Sequence, residues 1–117
     1  MKIIRTNIEN LEENKKMLYK LTKAKGYSVK DVEGVFPVHS YLIYEDVNAK
    51  GEMQTVTAVL CEDVEGNPVK LQSISMTFRR EFEEIADLMA GEDFAITLIH
   101  GTTKSGRDFV SCELYCD

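Results

Sequence analysis

Five strand-like segments, one amphipathic helix between the third and fourth, and a helix-like segment ahead of them all predict a mainly β domain. The order β-β-β-α-β-β is that of a five-stranded Greek-key barrel of the OB-fold type, here preceded by an N-terminal helix. A length of 117 residues suits one domain, large enough to bury a core without disulfides or metal. With 44% hydrophobic and 29% charged residues, the chain has the balance of an ordinary globular protein. Residues 1–34 are expected to form the helix and a connector packed on or extending the barrel, and residues 35–117 the barrel itself. An open α+β sheet is the rival architecture.

The elements follow in order. Thr6-Asn7-Ile8-Glu9 reads as a capping box, followed by Leu11, Leu18 and Leu21 on one helical stripe and Gly26 as a stop, so a helix is predicted over about 7–25. Tyr27 to Gly34 is a connector whose Ser28, Asp31 and Gly34 favour turns. Val35–Tyr44 is the first strand, with β-branched and aromatic residues on both faces and Pro37 suited to an edge or bulge. A polar loop, Asp46–Gly51, leads to the second strand, Met53–Cys61. The turn Glu65-Gly66-Asn67-Pro68 leads to the third, Val69–Ile74, with Lys70 and Gln72 facing away from Val69 and Leu71. Ser75 or Thr77 then caps a helix whose inner face is Phe78, Phe82, Ile85 and Leu88, and Gly91 ends it. Phe94–His100 and Phe109–Tyr115 are the fourth and fifth strands, joined by the locally basic loop 101–108.

Charge is unevenly placed. The net charge is −6, which argues against a generally basic nucleic-acid coat. Residues 1–30, however, hold eight basic and three acidic groups, whereas residues 31–117 hold six and seventeen. On the predicted N-terminal helix, Lys15, Lys16, Lys20 and Lys23, partly matched by Glu12 and Glu13, read either as a solvated face or as an electrostatic arm for phosphates. No apolar run reaches the ~20 residues that cross a bilayer, and Met1–Asn10 lacks the apolar centre of a signal peptide. A cytoplasmic protein without a membrane partner is expected. Cys61, Cys112 and Cys116 form no CxxC pair and are expected to be buried free thiols, with neither a disulfide framework nor a metal site.

Catalysis is not expected, and no cofactor is. His39 and His100 lie in strands without a nucleophile motif beside them, and the paired carboxylates, such as Glu45-Asp46 and Glu92-Asp93, sit mostly at element ends. Binding suits the chain better. An OB-fold holds its ligand across the second and third strands, between the loops joining strands one and two and strands four and five. Lys50, Lys104 and Arg107 lie in those loops. Lys70, with Arg79 and Arg80 at the disfavoured positive end of their helix, would extend a cationic track for phosphates. Tyr41, Tyr44, Phe109 and Tyr115 are the candidate rings on which bases would stack, Phe109 and Tyr115 because they oppose the core alternation of the last strand. Packing against the N-terminal helix or a partner subunit is the other use for such rings.

Four blocks carry a resemblance: Leu18-Tyr19-Lys20-Leu21-Thr22-Lys23, Tyr44 through Glu52, Thr77-Phe78-Arg79-Arg80-Glu81-Phe82 and Gly101 through Val110. In this order, over roughly residues 18–115, they resemble small single-stranded DNA-binding proteins encoded by phages and integrative elements of Gram-positive bacteria. The resemblance implies an accessory protein of replication or transfer that coats single strands without catalysis, on an OB-like fold. Gln72–Thr77 departs from it in lacking a proline before the helix, and the partner-recruiting role that bacterial housekeeping proteins of this activity give to a long acidic tail is not expected here.

Together these readings predict sequence-tolerant binding of single-stranded DNA in phage or mobile-element replication or transfer. A homo-oligomer and replication proteins are the further partners considered. A protein-interaction module without nucleic-acid binding is the main alternative, and a small metal-dependent nuclease a second.

Overall fold

The computed structural model describes all 117 residues. Seven strands, β1 (Lys2–Thr6), β2 (Tyr27–Ser28), β3 (Val35–Val47), β4 (Met53–Glu62), β5 (Pro68–Ser73), β6 (Phe94–Thr102) and β7 (Asp108–Leu114), form one curled, mixed sheet. Two α-helices accompany it, α1 (Lys15–Thr22) and α2 (Met76–Leu88). The strand order is β2-β5-β4-β3-β6-β7, with β1 on β3. No helix is long and apolar enough to cross a membrane.

The long strand β3 generates the curl. Its first residues pair with β6, from Val35 opposite Thr97 to Val38 opposite Phe94. From Val38 opposite Cys61, across a register shift between Val38 and Ser40, it pairs with β4, and its far half takes β1 on the edge that β6 has vacated. A bulge of this kind bends a strand and increases its twist, which lets one strand serve two directions of a barrel wall. Pro37, beside the bulge, pairs only with β6, where its missing N–H is tolerated.

Inside the curl lies one apolar cluster, including Phe36, Tyr41, Val59, Leu71, Ile96, Val110 and Cys112, closed at one end by Phe78, Phe82, Ile85 and Ala86 of α2. Phe78 and Phe82 are fully buried, each contributing about 1.5–3 kcal/mol on burial. Ser75 is the cap of α2, its Oγ accepting from Phe78 N at 3.3 Å. Leu88 does not join the core but is 73% exposed. The helix buries Ala86 and packs Met89 instead, because the inward stripe steps from Phe82 by four residues and then three.

The N-terminal third corrects the predicted helix over 7–25. Residues 2–6, Lys-Ile-Ile-Arg-Thr, form edge strand β1, and a 3₁₀ turn at Leu11–Glu13 leads to an α1 of only eight residues. Thr6 does not cap a helix. Its hydroxyl donates to Tyr41 O at 2.7 Å and accepts from Ile8 N at 3.2 Å, while Asn14 caps α1 by accepting from Met17 N. Gly26 is no helix stop either. It lets the chain pass Lys70, whose stem and carbonyl oxygen lie 3.0 Å from where a Cβ would stand.

The expected five-stranded barrel is not closed by direct pairing of its third and fifth strands. Residues 27–34 fill that seam: β2 pairs in parallel with β5, and the 3₁₀ turn Val29–Asp31 touches both β5 and β7. His100 Nε2 donates to Val29 O at 3.1 Å, and Leu98 N donates to Gly34 O at 3.3 Å. What the sequence presents as a connector is thus part of the wall. On the outer face of β3 and β4, Leu42, Tyr44, Val56 and Ala58 form a second cluster with Leu11 and Leu21, so α1 covers that part of the face.

Candidate nucleic-acid interface

The three hairpins of the wall turn on one design. Asn48 Oδ1 accepts from the N–H groups of Lys50 and Glu52, Asp63 Oδ1 from those of Glu65 and Asn67, and Thr103 Oγ1 from that of Arg107. A glycine follows three residues on, Gly51, Gly66 and Gly106, each with φ between 81° and 84°, a conformation that only glycine adopts without strain. These locked turns fix where their charges project. The β3–β4 turn presents Lys50 and the β6–β7 turn presents Lys104 and Arg107, all exposed, whereas the β4–β5 turn is acidic. None of the three cations is ion-paired; the ion pairs of the molecule belong to Arg5 and His100.

Two concavities share one residue, Lys30, and neither is lined by Lys50, Lys104 or Arg107 themselves. The first, about 410 Å³, is walled by Tyr44, Gln54, Val56, Gln72 and Ser73 at the outer ends of β3–β5. The second, about 400 Å³, lies at the base of the β6–β7 hairpin against Gly101, Thr102, Asp108 and Phe109. Phe109 is directly opposite Gly101, and its ring lies on the glycine backbone so closely that a Cβ there would stand 2.5 Å from Cζ. The result is a flat aromatic floor next to a flexible ammonium group. Lys30 was not among the candidates read from the sequence. Ser28 Oγ accepts from the Lys30 N–H at 3.3 Å, and the Lys30 side chain is exposed.

Several candidate residues lie elsewhere. Tyr41 is a core residue, 6% exposed: its ring meets Phe82 edge-on at 5.1 Å and its hydroxyl accepts from Arg5 Nε at 3.3 Å. Tyr44 is equally buried, with only an edge at the groove, and burial together with the nearby Asp46 raises its hydroxyl pKa. Both rings lack an open face because β3 is covered twice, by the barrel interior and by the N-terminal segment. Lys70 is also removed from any cationic track. It is 6% exposed, and its ammonium donates to Ala24 O at 2.8 Å, tying the chain after α1 to β5. Desolvation lowers its pKa.

Arg79 and Arg80 lie one turn along α2 and, like Lys50, Lys104 and Arg107, line neither concavity. Arg79 Nε is buried without a partner, and Arg80 is exposed. Tyr115 is 46% exposed, but at ~3.3 Å per residue it stands about 20 Å along the strand direction from Phe109. Phe109 and Tyr115 do share the outward side of β7, with Glu113 between them. Cys61 and Cys112 are buried, which raises both thiols to about 12, whereas Cys116, expected to be buried, follows the last strand and is exposed.

At the opposite side of α2, Arg5 Nη2 lies 2.7 Å from Asp87 and Nη1 3.7 Å from Glu83. Burial opposes the charge on Arg5, but bonds to Asp87 and Tyr41 outweigh it and raise its pKa. This cluster holds β1 to the helix and adds about 0–1 kcal/mol as a partly exposed pair. The adjoining concavity is bordered by Glu92 and Asp93 and so repels polyanions. No group of three or more His, Cys, Asp or Glu side chains is placed to share a metal ion. Comparison of the chain with protein-family models, curated proteins and solved structures gives no match.

Proposed function

We propose that this protein binds single-stranded DNA with little sequence preference, without catalysis, in phage or mobile-element replication or transfer. The chain order of β3, β4, β5, α2, β6 and β7 is that of an OB-fold, with residues 27–34 standing where the third and fifth barrel strands would otherwise meet. The observation that carries the reading is the Phe109 ring laid flat on Gly101 beside Lys30, in a concavity at the base of the hairpin that presents the exposed Lys104 and Arg107. A ring offers any base the same π-face and a cation offers any phosphate the same charge, so recognition on these terms ignores sequence. The resemblance of the four sequence blocks supports the biological setting, inside the cytoplasm among other replication proteins.

A second reading, a protein-interaction module, draws on one observation. Val47 and Met53, paired across the β3–β4 hairpin, are 55% and 65% exposed, more apolar surface than the turn needs for folding. Titrating labelled oligo-dT at several salt concentrations separates the two. The DNA reading predicts tight binding at low salt that weakens steeply as salt rises. Replacing Lys104 and Arg107 by Ala should flatten that dependence by about 1.4 log units per log unit of salt, at ~0.7 for each phosphate contact on a single strand. No binding at low salt discards the DNA reading, and an unchanged slope in the double variant moves the site off the β6–β7 hairpin.

A further inference from the structure

The outer face of β3 and β4, beside the strands across which an OB-type barrel would receive its ligand, is covered by α1, and the cover carries its own charge. Leu21 of α1 is buried and Met17 and Leu18 pack beside it, while Lys15, Lys16, Tyr19, Lys20 and Lys23 are all exposed. At helical spacing Tyr19 is flanked one turn on either side by Lys15 and Lys23, with Lys16 and Lys20 alongside. Tyr19 is 61% exposed.

A merely solvated helix face mixes its signs, because Glu four residues from Lys stabilises the helix. Here residues 14–30 hold six lysines and no carboxylate, in a chain of net charge −6. No lysine of α1 is ion-paired. Two of them, Lys15 and Lys16, occupy the first turn, which has no acidic residue, although the positive end of the helix dipole disfavours cations there. The face is therefore arranged at a cost to its own helix, and an external polyanion relieves that cost. It is also continuous with the groove, since Tyr44 and Val56 belong both to the cluster beneath α1 and to the wall of the first concavity.

We infer that the exposed face of α1 is a second contact for the same DNA strand, extending its path from the hairpin groove over the helix, with Lys15, Lys16, Lys20 and Lys23 on phosphates and Tyr19 under a base. This rests on the single-strand reading of the groove. The test compares the wild type with the triple variant Lys16→Gln, Lys20→Gln, Lys23→Gln on oligo-dT of about 8 nucleotides, within the span of one such barrel, and of about 30. These side chains are exposed, and thermal melting checks that the variant is folded.

The extended path predicts that the salt slope for the long strand falls by about 2, equivalent to an affinity loss of about 100-fold at 0.1 M salt when referred to 1 M, while the short strand is unaffected. An unchanged slope on the long strand overturns the helix contact, and leaves the groove standing if the Lys104, Arg107 variant still loses its share. Equal losses on both lengths overturn the extension. Failure of the wild type to bind either strand overturns both proposals at once. Binding to phosphatidylserine-containing vesicles that the triple variant loses, with its DNA slope unchanged, reassigns the face to a membrane surface.

Discussion

Replacing Gly101 by Ala tests the aromatic floor without altering a single charge. The new Cβ would stand 2.5, 2.7 and 3.2 Å from Cζ, Cε1 and Cε2 of Phe109. Carbon atoms rest at about 3.5–4.0 Å, so the ring must retreat by about 1 Å or swing to another rotamer. Gly101 does not have a positive φ, and alanine is tolerated by its backbone; the whole effect passes through the ring. Overpacking of this kind costs about 1–3 kcal/mol of stability, which a shift in melting temperature reports. Loss of one stacking platform costs a further 1–3 kcal/mol of binding, roughly 5- to 150-fold in affinity for oligo-dT by fluorescence anisotropy. The signature is a lower affinity at every salt concentration with an unchanged salt slope, the reverse of what the lysine variants do. Phe109→Leu, which keeps an apolar cover on Gly101 but no flat ring, should reproduce the loss. If both variants fold and bind as the wild type does, Phe109 is no part of the site.

Two further predictions concern the fold. In the native protein only Cys116 should react rapidly with a thiol reagent, and all three cysteines after denaturation, because burial pushes Cys61 and Cys112 up to about 12; a second fast thiol contradicts the packing of β4 or β7. Lys70 sets a pH dependence: its folded pKa lies below the ordinary 10.5, so between the two values the unfolded chain binds more protons and stability rises with pH. Lys70→Met, which keeps the apolar stem, should show a flatter rise over that window in urea unfolding, and parallel curves for the two proteins would refute the linkage.

Much of the barrel wall was legible because its strands alternate in the ordinary way: Val110 and Cys112 inward, Phe109 and Tyr115 outward, as the sequence alone implies. The helix after β5 was equally plain from Phe78, Phe82 and Ile85. The N-terminal third was misread for a physical reason. Thr6 and Glu9 satisfy the local pattern of a capping box, but the Thr6 hydroxyl finds a better partner in Tyr41 O, thirty-five residues away, and Lys2–Thr6 is recruited to the vacant edge of β3. Once that segment is redirected, the rest follows. α1 shortens and packs on the outside of β3 and β4 over Tyr44, and the chain after α1 closes over Lys70, which local alternation places on an open face. Periodicity tells which residues share a side of a strand, but not what lies against that side. The same limit hid Lys30, whose importance arises only because residues 27–34 insert between β5 and β7.

A map of backbone amide shifts by nuclear magnetic resonance as oligo-dT is added tests most directly whether a single strand lies beside Phe109 and Lys30. The largest changes are expected at Lys30, Gly101–Phe109 and the Asn48–Gln54 turn, with α1 joining them only for the longer strand. Changes centred instead on Glu92, Asp93 and the Arg5 cluster, or none at low salt, would contradict that placement.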